Sequence, residues 1–258
     1  LTDKLSKFVD ESWLPKKITD KIEIQHLLTH TSGLGSYFNR TYRRASKNNF
    51  RALSDYKPLI KNETLRFEPG SRWRYSNTGL FLAGVVIEKV SGQTYFDYIR
   101  EHIYKPAGMI NSDCYEMDQP VPNLAIGYDH TPNNSTGWRN NLYSHVLKGG
   151  PAGGGFSTVE DLYRFARALT NYKLLSKKLT EAAYSPKPKL NSPTYGYGFG
   201  IRSGGKNRIV GHSGGFTGIN SNLSIFLDKG YVMAVMSNYS QGARPIQTKI
   251  RELLGRVK

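Results

Sequence analysis

The sequence predicts an α/β chain of the α+β type, in which an antiparallel sheet flanked by helices lies beside a mainly helical lobe. Two observations predict it: apolar residues recur at helical spacing in the first two-thirds of the chain, and four β-rich segments follow one another near its end. At 258 residues the chain is long enough for one large domain. We expect a single domain, with the helical lobe at 1–190 and the strands and closing helix of the sheet at 191–258.

Helices dominate the first hundred residues. Residues 22–28 place apolar side chains at helical spacing, and small residues followed by Gly33 end that helix. Residues 37–66 are polar, aromatic and basic, and we expect a helix-containing excursion there. A strong helix is predicted from Asn77 to Val90 and a second from Tyr95 to Ile103, which the stretch 106–109 stops.

The middle of the chain is rich in turn-forming residues. We predict a long excursion with short strands over 111–150, which contains Pro120, Pro122, Pro132, Asn133 and Asn134. The glycine run 149–155 predicts a tight turn, and it lacks the Gly-Lys-Ser/Thr ending of a phosphate-binding loop. The spacing of Ser157 and Glu160 fits a capping box, which predicts a helix running to about Thr170.

Strands replace helices in the C-terminal part. Four segments are predicted as strands: Tyr195–Ile201, Arg208–His212, Asn222–Leu227 and Tyr231–Met236. The sequence Asp228-Lys229-Gly230 predicts a hairpin turn between the last two. A closing helix is predicted over 243–256, with one apolar face made of Ile246, Ile250, Leu253 and Leu254.

The composition limits the possible partners. The net charge of +16 favours either a solvated basic face or attraction to an anionic surface such as a membrane or cell-wall polymer, and the densest basic run is Arg40–Arg51. Nucleic acid is not expected, since no helix-turn-helix, zinc-finger or RNA-binding motif is found. The single Cys114 excludes an internal disulfide framework and a multi-cysteine metal site. The chain opens on Leu1 without a signal-peptide pattern, which suggests a piece of a longer protein.

Two polar triplets carry the chemistry. Tyr75-Ser76-Asn77 follows a loop and precedes an apolar helix, and its phenol and amide, two residues apart in an extended segment, project to the same side. A phenol can shuttle a proton, and an amide can both donate and accept hydrogen bonds. The second triplet is His212-Ser213-Gly214. Asn77 has an alternative interpretation as the N-cap of the helix that follows.

These triplets belong to a longer pattern that resembles the serine β-lactamase and penicillin-binding protein superfamily, in its class C β-lactamase, DD-peptidase and esterase-like branch. The matching stretches occur in the order of that family and span most of the chain: His26 to Leu34, Phe67 to Ser71, Tyr75-Ser76-Asn77, Gly153 to Asp161, and Gly211 to Gly215. In the family, a nucleophile motif Ser-x-x-Lys precedes all of these stretches. The resemblance therefore implies that the nucleophile and its lysine lie upstream of Leu1.

The resemblance also implies roles and a place for the site. Tyr75 and His212 would be catalytic, and Asn77, Ser213, Gly214 and Gly215 would bind substrate, the last through a backbone N–H of an oxyanion hole. The site would be a cleft between the lobes, with Tyr75 on the helical side and His212 on an edge strand. Because an unperturbed tyrosine is a poor base at neutral pH, Tyr75 would need the missing lysine and His212 as nearby cations.

Three sequences within the chain imitate a nucleophile motif. Ser54 with Lys57 and Ser203 with Lys206 both fit Ser-x-x-Lys, but the first stands in the wrong order for the family and the second is predicted as a turn between strands. Ser213 lies in a Gly-x-Ser-x-Gly sequence, yet the segment after it is a poor helix former and leads into a strand. None of the three is favoured as the nucleophile.

Several other residues have a structural interpretation first. His30 is predicted to bond backbone near the glycine turn, and glycines 153–155 are predicted to shape the wall of the cleft. The aromatic residues of 128–143, including Tyr128, Trp138 and Tyr143, either line a substrate groove or pack on the surface.

The leading hypothesis is a serine hydrolase that acts on an amide or ester through an acyl-enzyme, with no metal and no cofactor. Its substrate would be a peptidoglycan peptide, a β-lactam or a small ester or D-amino-acid peptide, and the family resemblance favours an extracytoplasmic location. His212 in place of lysine favours something other than a dedicated β-lactamase. The alternatives are a catalytically inactive relative that acts as a binding or regulatory module, and a binder of anionic polymers. The 258 residues alone are expected to be inactive and to require their own N-terminal segment as a partner.

Overall fold

The computed structural model describes residues 1–131, 133, 135–204 and 207–256. Ten α-helices are found in this part of the chain: α1 Lys16–Thr19, α2 Ile24–Leu28, α3 Arg40–Arg44, α4 Lys57–Ile60, α5 Asn77–Ser91, α6 Tyr95–Ile99, α7 Lys105–Ala107, α8 Val159–Thr170, α9 Lys177–Ala183 and α10 Ala243–Arg256. The π-helical segment Arg100–Tyr104 joins α6 to α7, and four 3₁₀ turns lie at Leu5–Lys7, Lys47–Asn49, Leu53–Tyr56 and Pro188–Leu190.

Six strands form two antiparallel sheets. The strands β1 Tyr128–His130 and β2 Trp138–Asn140 make a hairpin. The larger sheet has the order β3-β4-β5-β6, from Gly200–Gly204, Asn207–Phe216, Ile219–Phe226 and Tyr231–Ser237. The mixed fold with an antiparallel sheet and flanking helices is therefore confirmed.

The larger sheet lies between two helices, and alternation along its strands sorts the side chains between them. One face packs against α8, where Val210, Leu223 and Ile225 join residues of α8 and α9 in a buried apolar cluster. The opposite face carries α10, which contacts β5 and β6. Because α8 and α9 supply part of the sheet's core, that core begins earlier in the chain than residue 191.

The helical lobe has a second apolar cluster. The helix α5 lies at its centre and buries Phe81 and Leu82. Around Phe81 pack the rings of Tyr37 and Tyr56, at 5.0 and 4.6 Å between centroids. This cluster holds the start of α5, and therefore the Tyr75 segment, at the side of the lobe that faces the sheet.

Local features differ from the sequence prediction in three places. The predicted strand Tyr195–Ile201 is a tight turn up to Phe199, since Gly196 N–H donates to the Phe199 carbonyl and Gly198 has a positive φ of 82°. The second helical segment runs beyond its predicted end at Ile103 to Ala107, because proline is tolerated in the first turn of α7, and Gly108 of the predicted stop ends it at a φ of 74°. The cap of α8 is Thr158, whose hydroxyl accepts from Asp161 N–H, one residue later than the predicted box.

The remaining predicted elements agree with the structure, including the hairpin between β5 and β6 and the closing helix α10. Pro132, Asn134 and Lys206 lie outside the described residues, so the second Ser-x-x-Lys sequence cannot be placed as a whole. In the described part of the chain, no helix is long and apolar enough to cross a membrane, and no cluster of three potential metal ligands occurs.

Candidate active site

A cleft of about 1280 Å³ lies between the helical lobe and the large sheet. All six residues predicted for the site line it: Tyr75, Asn77, His212, Ser213, Gly214 and Gly215. The glycines 153–155 also line it, as predicted for the cleft wall. The fold thus brings together two triplets that are more than 130 positions apart in the chain.

His30 holds the Tyr75 segment from three directions. Its carbonyl accepts from Arg74 N–H at 2.9 Å, and its Nδ1 accepts from Ser76 N–H at 3.1 Å. Its ring lies 4.1 Å from the Tyr75 ring, centroid to centroid. His30 was predicted to form hydrogen bonds with the backbone, and the backbone groups that it binds belong to Arg74 and Ser76, on either side of the candidate phenol.

The chemistry of His30 follows from these contacts. Because its Nδ1 accepts from a backbone N–H, the neutral ring carries its proton on Nε2, which is buried without a hydrogen-bond partner among the described residues. The residue is fully buried, and this burial, with the nearby His212, lowers its pKa to about 3. His30 is thus uncharged at neutral pH and cannot serve as a proton donor of ordinary strength.

Ser76, rather than Asn77, caps the helix α5. Its hydroxyl accepts from Gly79 N–H at 2.8 Å and donates to the Gly35 carbonyl at 2.9 Å. Asn77 is the first helical residue, and its side chain donates from Nδ2 to the Ser36 hydroxyl at 3.1 Å. The interpretation of Asn77 as an N-cap was wrong, and its amide remains at the cleft.

His212 lies on β4, the second strand of the sheet. Pairing with β3 ends at Gly211, so from His212 to Phe216 this strand pairs with β5 alone in the described residues. The predicted edge position therefore holds for this half of β4 only. The Nδ1 of His212 lies 2.7 Å from the Ser213 carbonyl, which can only accept, so the neutral ring is protonated on Nδ1 and its Nε2 is the acceptor.

Tyr75 and His212 face each other across the cleft, with their ring centroids 6.1 Å apart. Burial raises the pKa of the Tyr75 phenol and lowers the pKa of the His212 imidazole. Both groups are therefore uncharged at neutral pH. The expectation that His212 supplies a cation beside Tyr75 is thus not supported by these pKa directions, and a cation for the phenol has to come from another group.

The strand residues after His212 present backbone to the cleft. Gly214 and Gly215 are exposed, and a Cβ at Gly215 would meet nothing closer than 3.7 Å. Ser213 sits within β4 and points to the face opposite His212, since its cross-strand partner is Asn222 rather than Leu223. This placement lacks the strand-to-helix turn of a Gly-x-Ser-x-Gly nucleophile, as expected.

The other imitations and the aromatic candidates lie elsewhere. Ser54 is in a 3₁₀ turn outside the cleft, and the Lys57 ammonium lies over the Trp13 ring. Tyr128, Trp138 and Tyr143 do not line the cleft, and Tyr143 is 97% exposed. Trp138 packs on the surface against the rings of His130 and Tyr239, whereas Tyr143 projects into solvent, so the groove interpretation is not supported for these residues.

His145 is a cleft residue that sequence reasoning missed. It is buried, its Nδ1 lies 2.7 Å from the Val146 carbonyl, and its ring stacks on Phe156 at 5.7 Å. Burial lowers its pKa. No motif marks this residue, because it lies in the loop-rich excursion and only the fold brings it to the cleft.

The charge of the cleft is one-sided. Among the described residues, its charged lining groups are Arg202 and Arg251, and it has no aspartate, glutamate or lysine. Arg251 donates to the Ser224 hydroxyl at 2.8 Å, on the face of the sheet opposite His212. Arg202 lies on that same face, because it pairs with Ile209 and alternates with Ile201. Neither guanidinium therefore lies on the face of the sheet that carries His212.

Comparisons with known proteins identify the family. A profile described as Beta-lactamase matches residues 1–255. The chain belongs to the β-lactamase family. It is 34% identical over 242 residues to Penicillin-binding protein 4* of Bacillus subtilis (strain 168), and the match covers 88% of this chain and 54% of that relative. The chain thus spans about half the length of the curated relatives it matches.

Solved structures of the family share this fold. A penicillin binding protein from Bacillus halodurans superposes with a TM-score of 0.87 at 29% identity, covering 98% of this chain and 77% of that one. A D-stereospecific amidohydrolase from Streptomyces sp. superposes with a TM-score of 0.79 at 25% identity, covering 100% and 80%. The resemblance inferred from the motifs is thereby confirmed at the level of family and fold.

Proposed function

We propose that this chain forms the acid–base and substrate-binding part of a serine hydrolase that cleaves an amide or ester through an acyl-enzyme. The observation that carries the proposal is the meeting of Tyr75 and His212, from opposite lobes, in one cleft of a β-lactamase-family fold. The nucleophilic serine and its lysine would come from a Ser-x-x-Lys segment outside these 258 residues. With that segment as a partner, the chain would be active; alone, it would be inactive.

The pKa directions suggest how the protons move. A phenol with a raised pKa stays protonated, so Tyr75 would first have to lose its own proton to solvent, and a neighbouring ammonium would have to stabilise the phenolate, before it could take the proton of the serine. The lysine of the outside segment would be that cation. The same phenol would then return the proton to the leaving amine or alcohol, and the serine oxygen would hold the acyl group until water releases it.

The other site residues would bind and orient the substrate. The Nε2 of neutral His212 accepts a hydrogen bond, so it would receive a proton or an N–H from the substrate. Asn77 would hold the substrate amide, while the backbone of Ser213 and Gly214 would flank the bound acyl chain. The N–H of Gly215 would donate to the oxyanion, and a single donor of this kind contributes roughly 2.7–4 kcal/mol to known transition states.

The substrate class is narrowed by the family. The relatives' names include penicillin-binding proteins and a D-stereospecific amidohydrolase, which favours a peptidoglycan peptide, a β-lactam or a D-amino-acid amide or ester. We propose such a small molecule or peptide as the substrate and an extracytoplasmic location as the setting. No metal or cofactor enters this mechanism.

The test is acylation of the full-length protein by a fluorescent β-lactam and by an activated D-amino-acid ester. We expect a covalent adduct, and we expect Tyr75→Phe to slow its formation by about 10²- to 10⁴-fold, the usual contribution of a general acid–base group. Tyr143→Phe is the matched control, because that ring is 97% exposed and outside the cleft; its rate should stay within about twofold of wild type.

Other outcomes would decide against the proposal. An absence of adduct in the full-length protein, with substrate analogues still bound, would instead support a catalytically inactive binding module. Turnover by the isolated 258 residues would show that a nucleophile lies within this chain and would reject the outside Ser-x-x-Lys segment.

A further inference from the structure

The basic run Arg40–Arg51 divides into residues that stabilise the fold and residues that do not. Lys47 donates to the carbonyls of Tyr42 and Ala45 at 2.8 and 3.1 Å, and its ammonium lies 4.3 Å from the Tyr42 ring centroid. Arg51 pairs with Glu116 and Asp118. These two cations therefore have structural partners within the chain.

The three arginines of α3 have no such partners. Arg40, Arg43 and Arg44 are exposed, and none of their guanidinium groups makes a hydrogen bond, ion pair or ring contact with a described residue. Arg43 and Arg44 follow Arg40 by three and four positions, so each is a neighbour of Arg40 on the helix surface, about 5–6 Å from it at Cβ. Like charges so placed destabilise a helix by about 0.2–0.5 kcal/mol per pair. No aspartate or glutamate among the described residues forms an ion pair that would offset this repulsion.

The helix α3 is nevertheless firmly held beside the cleft. Asn39 caps it, and the buried ring of Tyr42 packs 5.0 Å from Phe38. Phe38 lines the cleft and packs 5.6 Å from Phe216, at the end of β4 beyond Gly215. The three arginines therefore lie on a helix that its cap and its packing hold in place, next to one end of the cleft.

We propose that the exposed face of α3, formed by Arg40, Arg43 and Arg44, is a docking site for a linear phosphate polymer. A guanidinium forms two parallel bonds to a phosphate, and a phosphate keeps further oxygens for a second arginine. Three guanidiniums within two helical turns can converge on one or two such groups. A carboxylate offers two oxygens and is filled by one arginine, so it makes poorer use of the cluster.

The surroundings of α3 argue against two other occupants. No large apolar side chain is exposed between residues 2 and 72, whereas a membrane-binding surface inserts apolar residues beside its basic ones. Phe216 is an exposed ring near α3, and it already packs against Phe38. One partly covered ring offers little for the stacking of successive bases by which single-stranded nucleic acid is bound. Three arginines with so little apolar or aromatic surface beside them fit a polymer that is recognised through its phosphates.

The test measures binding of fluorescently labelled inorganic polyphosphate to the full-length protein by anisotropy, at low and at high salt. The triple variant Arg40→Glu/Arg43→Glu/Arg44→Glu should lose roughly tenfold or more in affinity, with a weaker salt dependence than wild type. The matched control is Lys173→Glu/Lys177→Glu/Lys178→Glu, which changes the net charge equally at exposed positions in and before α9. Its loss should stay below about threefold, since only the long-range field changes.

Two further variants guard against trivial explanations. Arg40→Gln/Arg43→Gln/Arg44→Gln removes the charges without placing acids at the end of α3, and it should lose binding while keeping the wild-type circular dichroism. Replacing the same three residues by lysine keeps the charge but not the planar fork, and binding should fall severalfold.

Three results would overturn the proposal. An equal loss in the α3 and control triples would show that only net charge matters. Tighter binding of an oligonucleotide of the same charge would assign the face to nucleic acid. Equal or tighter binding of poly-L-glutamate would reject phosphate as the recognised group. None of these measurements depends on acyl transfer, so the proposal stands or falls apart from the hydrolase.

Discussion

The two sides of the cleft are built by different means. On the Tyr75 side, the position of the site is fixed by contacts to loops far away in the chain, such as Ser76 N–H to His30 and the Ser76 hydroxyl to Gly35. On the His212 side, position is fixed by the register of β4 against β5. The first side therefore depends on side chains that can be removed one at a time, and the second on backbone packing.

The two sides also differ in exposure. His30 and Ser76 are buried, so their hydrogen bonds form in a low dielectric and their loss leaves unpaired groups inside the protein. His212 is half-buried, and the residues from Ser213 to Thr217 are exposed. Tyr75 itself is 40% exposed at the cleft, so the two sides differ in the burial of the residues that hold the site and not in the exposure of the two rings. The exposed strand after His212 is free to contact a substrate backbone.

The largest effect is expected at Gly211, where the backbone packing of the His212 side is tightest. A Cβ at this position would lie 2.0 Å from the Leu223 carbonyl oxygen, which belongs to the paired strand and cannot move away. Gly211→Ala should lower the free energy of unfolding by roughly 3–5 kcal/mol, as severe overpacking does. Gly215→Ala is the control, since its nearest neighbour is 3.7 Å away, and urea unfolding should show a loss below about 1 kcal/mol. Equal losses would mean that β4 is not tighter at Gly211.

The next effect tests the side chains that hold Tyr75. His30→Ala removes the acceptor of the buried Ser76 N–H and leaves a non-glycine residue at φ 59°, so we expect a loss of about 2–4 kcal/mol in urea unfolding. His30→Asn should lose less, because asparagine tolerates a positive φ and carries an acceptor. If the two variants were equally stable, the hydrogen bond to Ser76 would not be what holds this segment.

The sequence predictions were accurate for features set by local patterns and less accurate for features set by contacts between distant residues. Local patterns were enough for the helix α5, the turn between β5 and β6, and the closing helix α10, because periodicity and turn residues act over a few positions. The motifs also identified both walls of the cleft. What they could not show is the contact between His30 and Ser76, which joins residues 46 positions apart.

Errors arose where tertiary contacts override local patterns. The alternating sequence from Tyr195 to Ile201 predicts a strand, but Tyr195 is buried against His30 at 4.7 Å and the chain turns before Phe199. The directions in which the pKa values of Tyr75 and His212 shift could not be predicted from the sequence either. Both shifts arise from burial in the folded chain. A motif identifies which side chains form a site, whereas their protonation states depend on how deeply the fold buries them.

The pH dependence of the unfolding free energy tests how well the residues that hold Tyr75 are buried, because His30 is one of them. Its pKa is about 3 in the folded chain and near 6.5 when unfolded, so below pH 6.5 the unfolded state binds a proton that the folded state refuses. Stability is therefore complete above pH 6.5 and falls as the pH drops, by about 2 kcal/mol at pH 5 from this residue alone. Burial also lowers the pKa values of His26, His145 and His212, which act in the same direction.

Urea unfolding at pH 7 and pH 5 measures this effect. In His30→Asn, the difference in unfolding free energy between the two pH values should shrink by about the same 2 kcal/mol. An unchanged difference would show that His30 is protonated in the folded chain and that the Tyr75 side is less sealed from water than its contacts indicate.

The smallest expected effect separates structure from function within the first triplet. Ser76→Ala removes the N-cap of α5 and should cost about 1–2 kcal/mol of stability. Asn77→Ala removes only a bond to the Ser36 hydroxyl at the cleft and should cost below about 1 kcal/mol. In acylation of the full-length protein the order should reverse, with Asn77→Ala slower than Ser76→Ala. If Ser76→Ala were instead the slower variant, Ser76 rather than Asn77 would be the residue that contacts the substrate. Its capping of α5 would then be the less important of its two roles.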